Sequence, residues 1–216
     1  MAEQQTTNKT TLRNNLRKKR VQAANQHILT ATLFLSSFLN AFREYRMARN
    51  IGIYMPTLSE FPVSPIIEKN FLMRKCTYAP RISSIRNKTM CFTRLSKSLE
   101  QHLIKKKRIN ETLHRNAYGI QESTEKNDVI NPKALDIVFT PLLGFNKNGE
   151  RLGMGGGYYD RLFSFKRWKS THKKPILIGL AYEAQYHHSI SADPWDVSMD
   201  AIITEENFYA YKRALL

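Results

Sequence analysis

The chain has 216 residues, 42% apolar and 24% charged, and its 34 basic against 18 acidic side chains give a formal charge of +16. That length and apolar content can fill the core of one domain and exclude intrinsic disorder, while the longest apolar run, 29–39, is too short for a membrane span. Two cysteines, Cys76 and Cys91, exclude a disulfide framework or structural zinc site and read as reduced residues of buried strands.

Residues 9–49 read as helical. Leu12, Leu16, Ala23, Ala24 and Ile28, then Leu33, Leu35, Phe38, Leu39 and Phe42, recur at helical spacing with basic residues between them. Residues 25–30 are a candidate break, although no Gly or Pro enforces one. Residues 50–54 are short, apolar and β-branched, a strand that Pro56 ends. Ser64 and Pro65 suit the cap and first turn of a helix through Lys75. Residues 76–82 and 89–95 form two strands joined by a polar turn, and the basic stretch 96–121 holds a helix and loops. Residues 135–145 read as one buried strand, followed by a turn at 146–149. A helix over 158–165 and buried strands at 175–181 and 200–204 complete the chain. Apolar strands alternating with helices indicate an α/β fold with a mainly parallel sheet. Residues 1–8 form a flexible tail ahead of one domain over 9–216. With no signal-peptide pattern at its start, the chain reads as soluble and cytoplasmic, with no membrane partner.

The charge is uneven: residues 1–130 carry 23 basic and 9 acidic side chains, residues 131–216 carry 11 and 9. Such a surplus suits solvated helix faces, a small polyanion or nucleic acid. The densest runs, 17–20 and 105–108, are short, far apart and not interleaved with aromatics, and no nucleic-acid-binding signature accompanies them. Glycine is distributed more sharply. None precedes Gly52, and five of the nine fall between Gly149 and Gly157. Glycines 153, 155, 156 and 157 let successive backbone N–H groups turn toward one anion at the start of a helix, which favours phosphate or nucleotide over a purely structural turn. Arg151 can add a bidentate guanidinium, and Asp160 a hard oxygen ligand for magnesium. The segment is not a phosphate-binding Walker loop, because Tyr158 follows Gly157 in place of Lys, nor does it satisfy the dinucleotide Gly-x-Gly-x-x-Gly fingerprint.

The run Arg151, Leu152, Gly153, Met154, Gly155, Gly156, Gly157, Tyr158, Tyr159, Asp160, Arg161 closely resembles the signature of the 5-formyltetrahydrofolate cyclo-ligases, also called methenyltetrahydrofolate synthetases. Other segments agree in order: Lys9 to Arg13 with the family's opening helix, residues 53–56 and Glu60 with its first strand and folate-contacting turn, residues 116–122 with a segment before the central strand, and residues 178–185, 193–197 and 200–205 with its C-terminal portion. The resemblance implies a three-layer α/β domain with a mainly parallel central sheet flanked by helices. It also implies conversion of 5-formyltetrahydrofolate to 5,10-methenyltetrahydrofolate with ATP and magnesium, releasing ADP and phosphate. The formyl oxygen is phosphorylated, and N10 then closes the ring.

On that resemblance Arg151 is the catalytic cation. Lys9 and Arg13 reach the ATP phosphates from one helix face, and Arg151, Leu152, Gly153, Met154, Gly155, Gly156 and Gly157 cradle them. Met55 and Glu60 contact the pterin, Tyr158 and Tyr159 line both the nucleotide and folate pockets, and Asp160 and Asp196 hold magnesium. The implied partners are 5-formyltetrahydrofolate and ATP, with no nucleic acid, and the protein is expected to be a monomer. Two departures stand out. Asn146 follows Gly144 and Phe145 where the family often has Asp, and Ser123 stands where it tends to have Pro. A nucleic-acid-binding protein, or a folate or nucleotide binder without turnover, are the alternative readings. His187 and His188 have no third ligand at metal-site spacing and are left aside.

Overall fold

The chain enters through a helix whose small and branched apolar residues are phased to one side. α1 (Ala2–Ala41) buries Leu16, Ala23, Ala24, Ala31, Leu35 and Leu39 along one stripe, in keeping with a period of 3.6 residues. The computed structural model describes residues 2–57, 59–105, 114–115, 121–122, 128–167, 174–212 and 215. With no Gly or Pro to interrupt its hydrogen bonds, α1 runs unbroken through 25–30, and it takes in residues 2–8, which the sequence alone sets apart as a tail. Ile28 and Leu33 do not belong to the stripe. They face outward with Leu29, at 44%, 71% and 77% exposure, because the alanines fix its phase against the core.

α2 (Arg43–Met47) leads into β1 (Asn50–Gly52). α3 (Ser64–Leu72) is capped at Val63 with no side-chain hydrogen bond. Ser64 is therefore already helical, Pro65 follows where its missing N–H costs nothing, and the helix ends before Lys75. β2 (Cys76–Ser84) and β3 (Thr89–Arg94) form the expected hairpin, with Cys76 and Cys91 only half-buried. α4 (Lys97–Lys105) follows, then the two-residue strands β4 (His114–Arg115), β5 (Gln121–Glu122) and β6 (Val129–Ile130). Residues 116–120 of the family-like segment, and Ser123, lie outside the described residues.

The expected strand over 135–145 is two elements. β7 (Ile137–Pro141) belongs to the main sheet, while β8 (Gly144–Phe145) pairs antiparallel with β9 (Arg151–Leu152) in a separate ribbon. The chain then forms α5 (Tyr158–Leu162), a 3-10 turn at Ser164–Arg167, and β10 (Ile176–Leu180), β11 (Ala201–Ile203) and β12 (Phe208–Ala210).

The main sheet has the order β12-β11-β10-β7-β1-β2-β3-β6. The five inner strands, β11 to β2, are parallel, and both flanks are antiparallel. Both faces of the inner strands are covered, so alternate residues enter different cores. Ile137, Phe139, Ile178 and Ala201 pack beneath α1, α3 and α4, whereas Val138, Leu177 and Ile202 pack with Phe145 and Phe163 on the opposite side. This is the expected three-layer α/β arrangement. Among the described residues no helix is long and apolar enough to cross a membrane.

Asp136 ties the lower ends of two central strands together. Its Oδ2 accepts the N–H groups of Arg49 (2.8 Å) and Asn50 (2.9 Å), and Lys174 pairs with Oδ1. Burial alone would raise its carboxyl, but the Asn50 N–H, Lys174 and the Arg49 N–H outweigh it and hold the group below the ordinary carboxylate range. Asp136→Ala is therefore expected to cost about 2 kcal/mol at neutral pH. A depressed folded value means that the ionic contribution is present above the unfolded value, roughly pH 4, and is lost as pH falls through the folded one. Urea melts of wild type and variant should accordingly converge as the solution is acidified.

Candidate active site

Counted along the chain, the five parallel strands lie in the spatial order 2-1-3-4-5, so the direction of winding reverses between β1 and β7. Open α/β sheets bind ligands outside the carboxyl ends of the strands at that switch point. The segment leaving β1 carries Met55 and Glu60. The segment leaving β7 carries the β8–β9 hairpin and the glycine loop. Two candidate halves, more than eighty residues apart in sequence, are thus delivered to one end of the sheet.

The hairpin is a more specific platform than a strand running straight into a helix. Its turn closes with the Gly149 N–H on the Asn146 carbonyl (3.2 Å). Asn146 is 3% exposed and uses its whole amide: Oδ1 accepts from the N–H of Asn148 (2.9 Å) and Glu150 (3.1 Å), and Nδ2 donates to the Ile190 carbonyl (2.7 Å) and the Glu150 carboxylate. A carboxylate at this position has no N–H for those acceptors, which is the physical content of the departure at 146. A Cβ at Gly144 would lie 2.6 Å from Leu16 and 2.8 Å from Ile190, so glycine there lets α1 pack directly on the hairpin. That contact sets Lys9 and Arg13, on the preceding turns of α1, beside the loop.

Arg151 and Leu152 belong to β9, and the loop proper is 153–157. Gly155 and Gly157 have φ of +97° and +66°, values a side chain adopts only under strain. A Cβ at Gly153 would meet nothing within 4 Å, so this face of the loop is open. Arg13 Nε donates to the Gly153 carbonyl at 3.1 Å, and its guanidinium lies over Gly155. α5 is a single five-residue turn capped by Gly157, shorter than the helix expected over 158–165. Its dipole is small, and the loop's own amides must do most of the anion binding.

Arg151 is 9% exposed. Nη2 pairs with Asp160 Oδ1 at 2.8 Å, Nη1 donates to the Val197 carbonyl, and the same Asp160 oxygen accepts the Val197 N–H at 3.0 Å. Lys9 pairs with Asp193 at 2.7 Å, and the Asp193 N–H donates to Asp196 Oδ2 at 2.9 Å. The structure therefore links Lys9, Arg13, Arg151, Asp160 and the 193–197 loop around the glycines. Burial raises the Asp196 carboxyl. The Asp193 N–H opposes it, the charges of Asp160 and Asp193 add to it, and Arg151 opposes it.

Magnesium takes one or two carboxylates and fills its shell with phosphate and water oxygens. Asp160 and Asp196 fit that donor set, and the like charge gathered around Asp196 is what a cation relieves. Among the described residues no cluster of three or more acidic, His or Cys side chains could enclose a metal by itself. His187 and His188 form a stacked ring pair at 5.1 Å.

At the β1 side Met55 is 9% exposed and belongs to the core under α1. Glu60 accepts the Thr57 N–H at 2.8 Å and pairs with Arg20 at 3.3 Å. Tyr159 bridges the halves. Its hydroxyl is buried with no hydrogen-bond partner among the described residues, and besides burial it feels the charges of Glu60 and Arg151. Tyr158 lies against Gly156, its ring within 3 Å of the place a Cβ would take. Arg20 and Asp193 are additions to the sequence-derived set. Arg20 hides in a basic run, yet it falls four residues after buried Leu16 and three before buried Ala23, a spacing that marks it as inward-facing.

A model of the 5-formyltetrahydrofolate cyclo-ligase family matches residues 5–205. The chain is 31% identical over 161 residues to 5-formyltetrahydrofolate cyclo-ligase of Haemophilus influenzae, covering 74% of this chain and 78% of that protein. It is 28% identical over 191 residues to the mouse protein of the same name, covering 88% and 90%. Among solved structures, 5,10-methenyltetrahydrofolate synthetase of Aquifex aeolicus superposes with a TM-score of 0.73 at 24% identity, covering 94% of this chain and 93% of that one. The synthetase of Mycoplasma pneumoniae gives 0.64 at 24% identity, covering 91% and 98%. At that identity the superpositions establish the shared fold.

Proposed function

Since the chain belongs to the 5-formyltetrahydrofolate cyclo-ligase family, we propose that it converts 5-formyltetrahydrofolate to 5,10-methenyltetrahydrofolate at the expense of ATP. The observation that carries this reading is the open glycine loop at the switch point, with Arg13 bonded to its first carbonyl and Arg151 locked beside it by Asp160.

The formyl oxygen is a poor leaving group. It attacks the γ-phosphorus of ATP, the bond to ADP breaks, and the formyl carbon becomes electrophilic. N10 then attacks that carbon, phosphate leaves with the C–O electron pair, and the N10 proton passes to solvent. Phosphoryl transfer needs in-line placement and charge neutralisation more than covalent help from the protein. The 153–157 amides and Arg13 bind the phosphates, and Lys9 exchanges Asp193 for a phosphate oxygen. Arg151 meets the charge that develops on the transferring group. Asp160 and Asp196 hold magnesium, which supplies further neutralisation of the phosphates when bound. Glu60 accepts the adjacent N–H donors of the pterin, next to Met55, and Tyr159 lies where the folate and phosphate regions meet.

The test is to mix the protein with 5-formyltetrahydrofolate, ATP and magnesium and follow methenyl-folate absorbance together with ADP release. Product formed one for one with ADP is the expected result. Folate binding without product would replace this reading with that of a binding protein.

A further inference from the structure

The polar groups that this mechanism leaves unused gather behind Glu60. Arg20 is 4% exposed on the inner face of α1. Its Nη1 reaches Glu60 Oε1 at 3.3 Å, while its Nε has no hydrogen-bond partner among the described residues. The Thr57 N–H, at 2.8 Å, holds the other Glu60 oxygen, so the carboxylate is gripped from two sides. The Arg20 contact is long for a charge-assisted bond, and a carboxylate has four lone-pair sites, so Glu60 retains capacity to accept.

Tyr182 is completely buried in the loop after β10. Its N–H is tied to Gln185 Oε1 at 2.8 Å, and its ring packs on Phe61 at 5.2 Å between centroids. Its hydroxyl also has no partner among the described residues. Tyr54, by contrast, spends its hydroxyl on the Phe61 carbonyl at 2.7 Å. These groups share one neighbourhood. Burial and then Glu60 raise the Tyr54 hydroxyl while Arg20 opposes them, and Arg20 likewise opposes the burial and the Glu205 charge that push Tyr182 up to about 12. Tyr182 is thus a neutral O–H donor throughout the working pH range.

Buried donors are costly to leave unpaired, and two of them define a pattern here: Arg20 Nε, whose guanidinium already meets Glu60, and the Tyr182 hydroxyl, whose ring packs on the neighbouring Phe61. The carboxylate accepts N–H groups, and the flanking donors want an oxygen. A cyclic amide next to an exocyclic amine, the 2-amino-4-oxo edge of a pterin, presents two N–H donors and then a carbonyl in one line.

We propose that Arg20 is a positioning residue for Glu60, and that Arg20 Nε–H and the Tyr182 hydroxyl form a donor pair reading the ring carbonyl beside the N–H groups that Glu60 accepts. This rests on the folate reading of the site given above. The site then selects 4-oxo over 4-amino pteridines, because an amino group at that position turns N–H against N–H and leaves both protein donors unpaired.

The experiment is equilibrium binding without ATP, so that loss of catalysis has no influence. The ligands are 5-formyltetrahydrofolate, folate and 4-amino-4-deoxyfolate. The proteins are wild type, Tyr182→Phe, Arg20→Lys and Arg20→Ala, each with its thermal midpoint measured. Wild type is expected to favour folate over the 4-amino compound by tenfold or more. Tyr182→Phe removes one oxygen that pays no structural role, so its midpoint should hold or rise while the preference shrinks several-fold. Arg20→Lys should recover part of the 5-formyltetrahydrofolate affinity lost in Arg20→Ala, since a charge near Glu60 remains, but not the preference for the carbonyl. Equal affinities of wild type for both compounds, or an unchanged preference in Tyr182→Phe, would overturn the proposal while leaving the folate reading intact. Failure of wild type to bind 5-formyltetrahydrofolate at all would overturn both.

Discussion

Turnover of an Arg151→Ala enzyme is expected to fall by about 10²–10³-fold, with the affinity for 5-formyltetrahydrofolate nearly unchanged. The guanidinium is already fixed before any ligand arrives: Asp160 holds Nη2 at 2.8 Å and the Val197 carbonyl takes Nη1. A cation oriented in advance pays no reorganisation when charge develops on the transferring phosphoryl group. The substitution also leaves Asp160 with only the Val197 N–H on its inner oxygen, a structural cost of about 1–3 kcal/mol. Single-turnover rates at saturating ATP and folate, read beside the thermal midpoint, separate the two effects. A lower rate at saturation identifies an interaction made in the transition state, whereas a higher KM for ATP with kcat preserved identifies uniform binding. Unchanged turnover removes Arg151 from its catalytic role. Arg151→Lys should recover little, because one ammonium cannot span both Asp160 and the Val197 carbonyl in the geometry of a planar fork.

The parts of the fold that the sequence makes legible are those in which a local pattern has one physical solution. Residues 137–141, 176–180 and 201–203 are apolar on consecutive positions because both faces of the inner parallel strands are buried, and length separates such runs from helices. The hairpin of β8 and β9 is hidden by the same rule. Residues 137–145 are a nearly continuous apolar run by composition, broken only by Thr140, and what divides them is tertiary: Pro141 closes the β7 pairing with Leu180, and Gly144 turns under α1 against Leu16. Ile28 and Leu33 show the converse. Their spacing is compatible with a helix stripe, yet Ala23, Ala24 and Ala31 set the phase, since small residues let α1 approach the sheet closely.

The candidate site divides in the same manner. The glycine loop, Arg151 and Asp160 lie within ten residues, so the chemistry of anion binding can be read directly from their order. Lys9 and Arg13 are one helical turn apart, which places them together, but only the fold brings Asp193 against Lys9 and the Gly153 carbonyl against Arg13. Arg20 is obscured by exposed Arg17, Lys18 and Lys19, and its burial follows only when the run is placed on the phase of Leu16. A formal charge of +16 describes none of this selectivity, because a single one of those four adjacent cations reaches a candidate ligand-binding carboxylate.

The glycines offer the second large effect, and two positions separate ligand exclusion from backbone strain. At Gly155 the backbone has φ of +97°, so Gly155→Val forces a β-branched residue into the left-handed region and is expected to cost about 1–3 kcal/mol of stability. Its Cβ would stand 3.9 Å from the Arg13 guanidinium, an ordinary contact, so the damage comes from the loop conformation. At Gly153 the backbone is outside that region and a Cβ meets nothing within 4 Å. Gly153→Val should therefore fold with a thermal midpoint close to wild type, yet fill the space through which phosphate oxygens reach the loop amides. ATP affinity is expected to drop at least tenfold, about 1.4 kcal/mol or more, with 5-formyltetrahydrofolate binding retained. Calorimetric titration with magnesium-ATP checks both variants. If Gly153→Val binds ATP as tightly as wild type, the loop is a structural turn and the phosphates lie elsewhere. If Gly155→Val loses stability and Gly153→Val loses only ATP, then positive φ shapes the loop and the bare Cα of Gly153 admits the ligand.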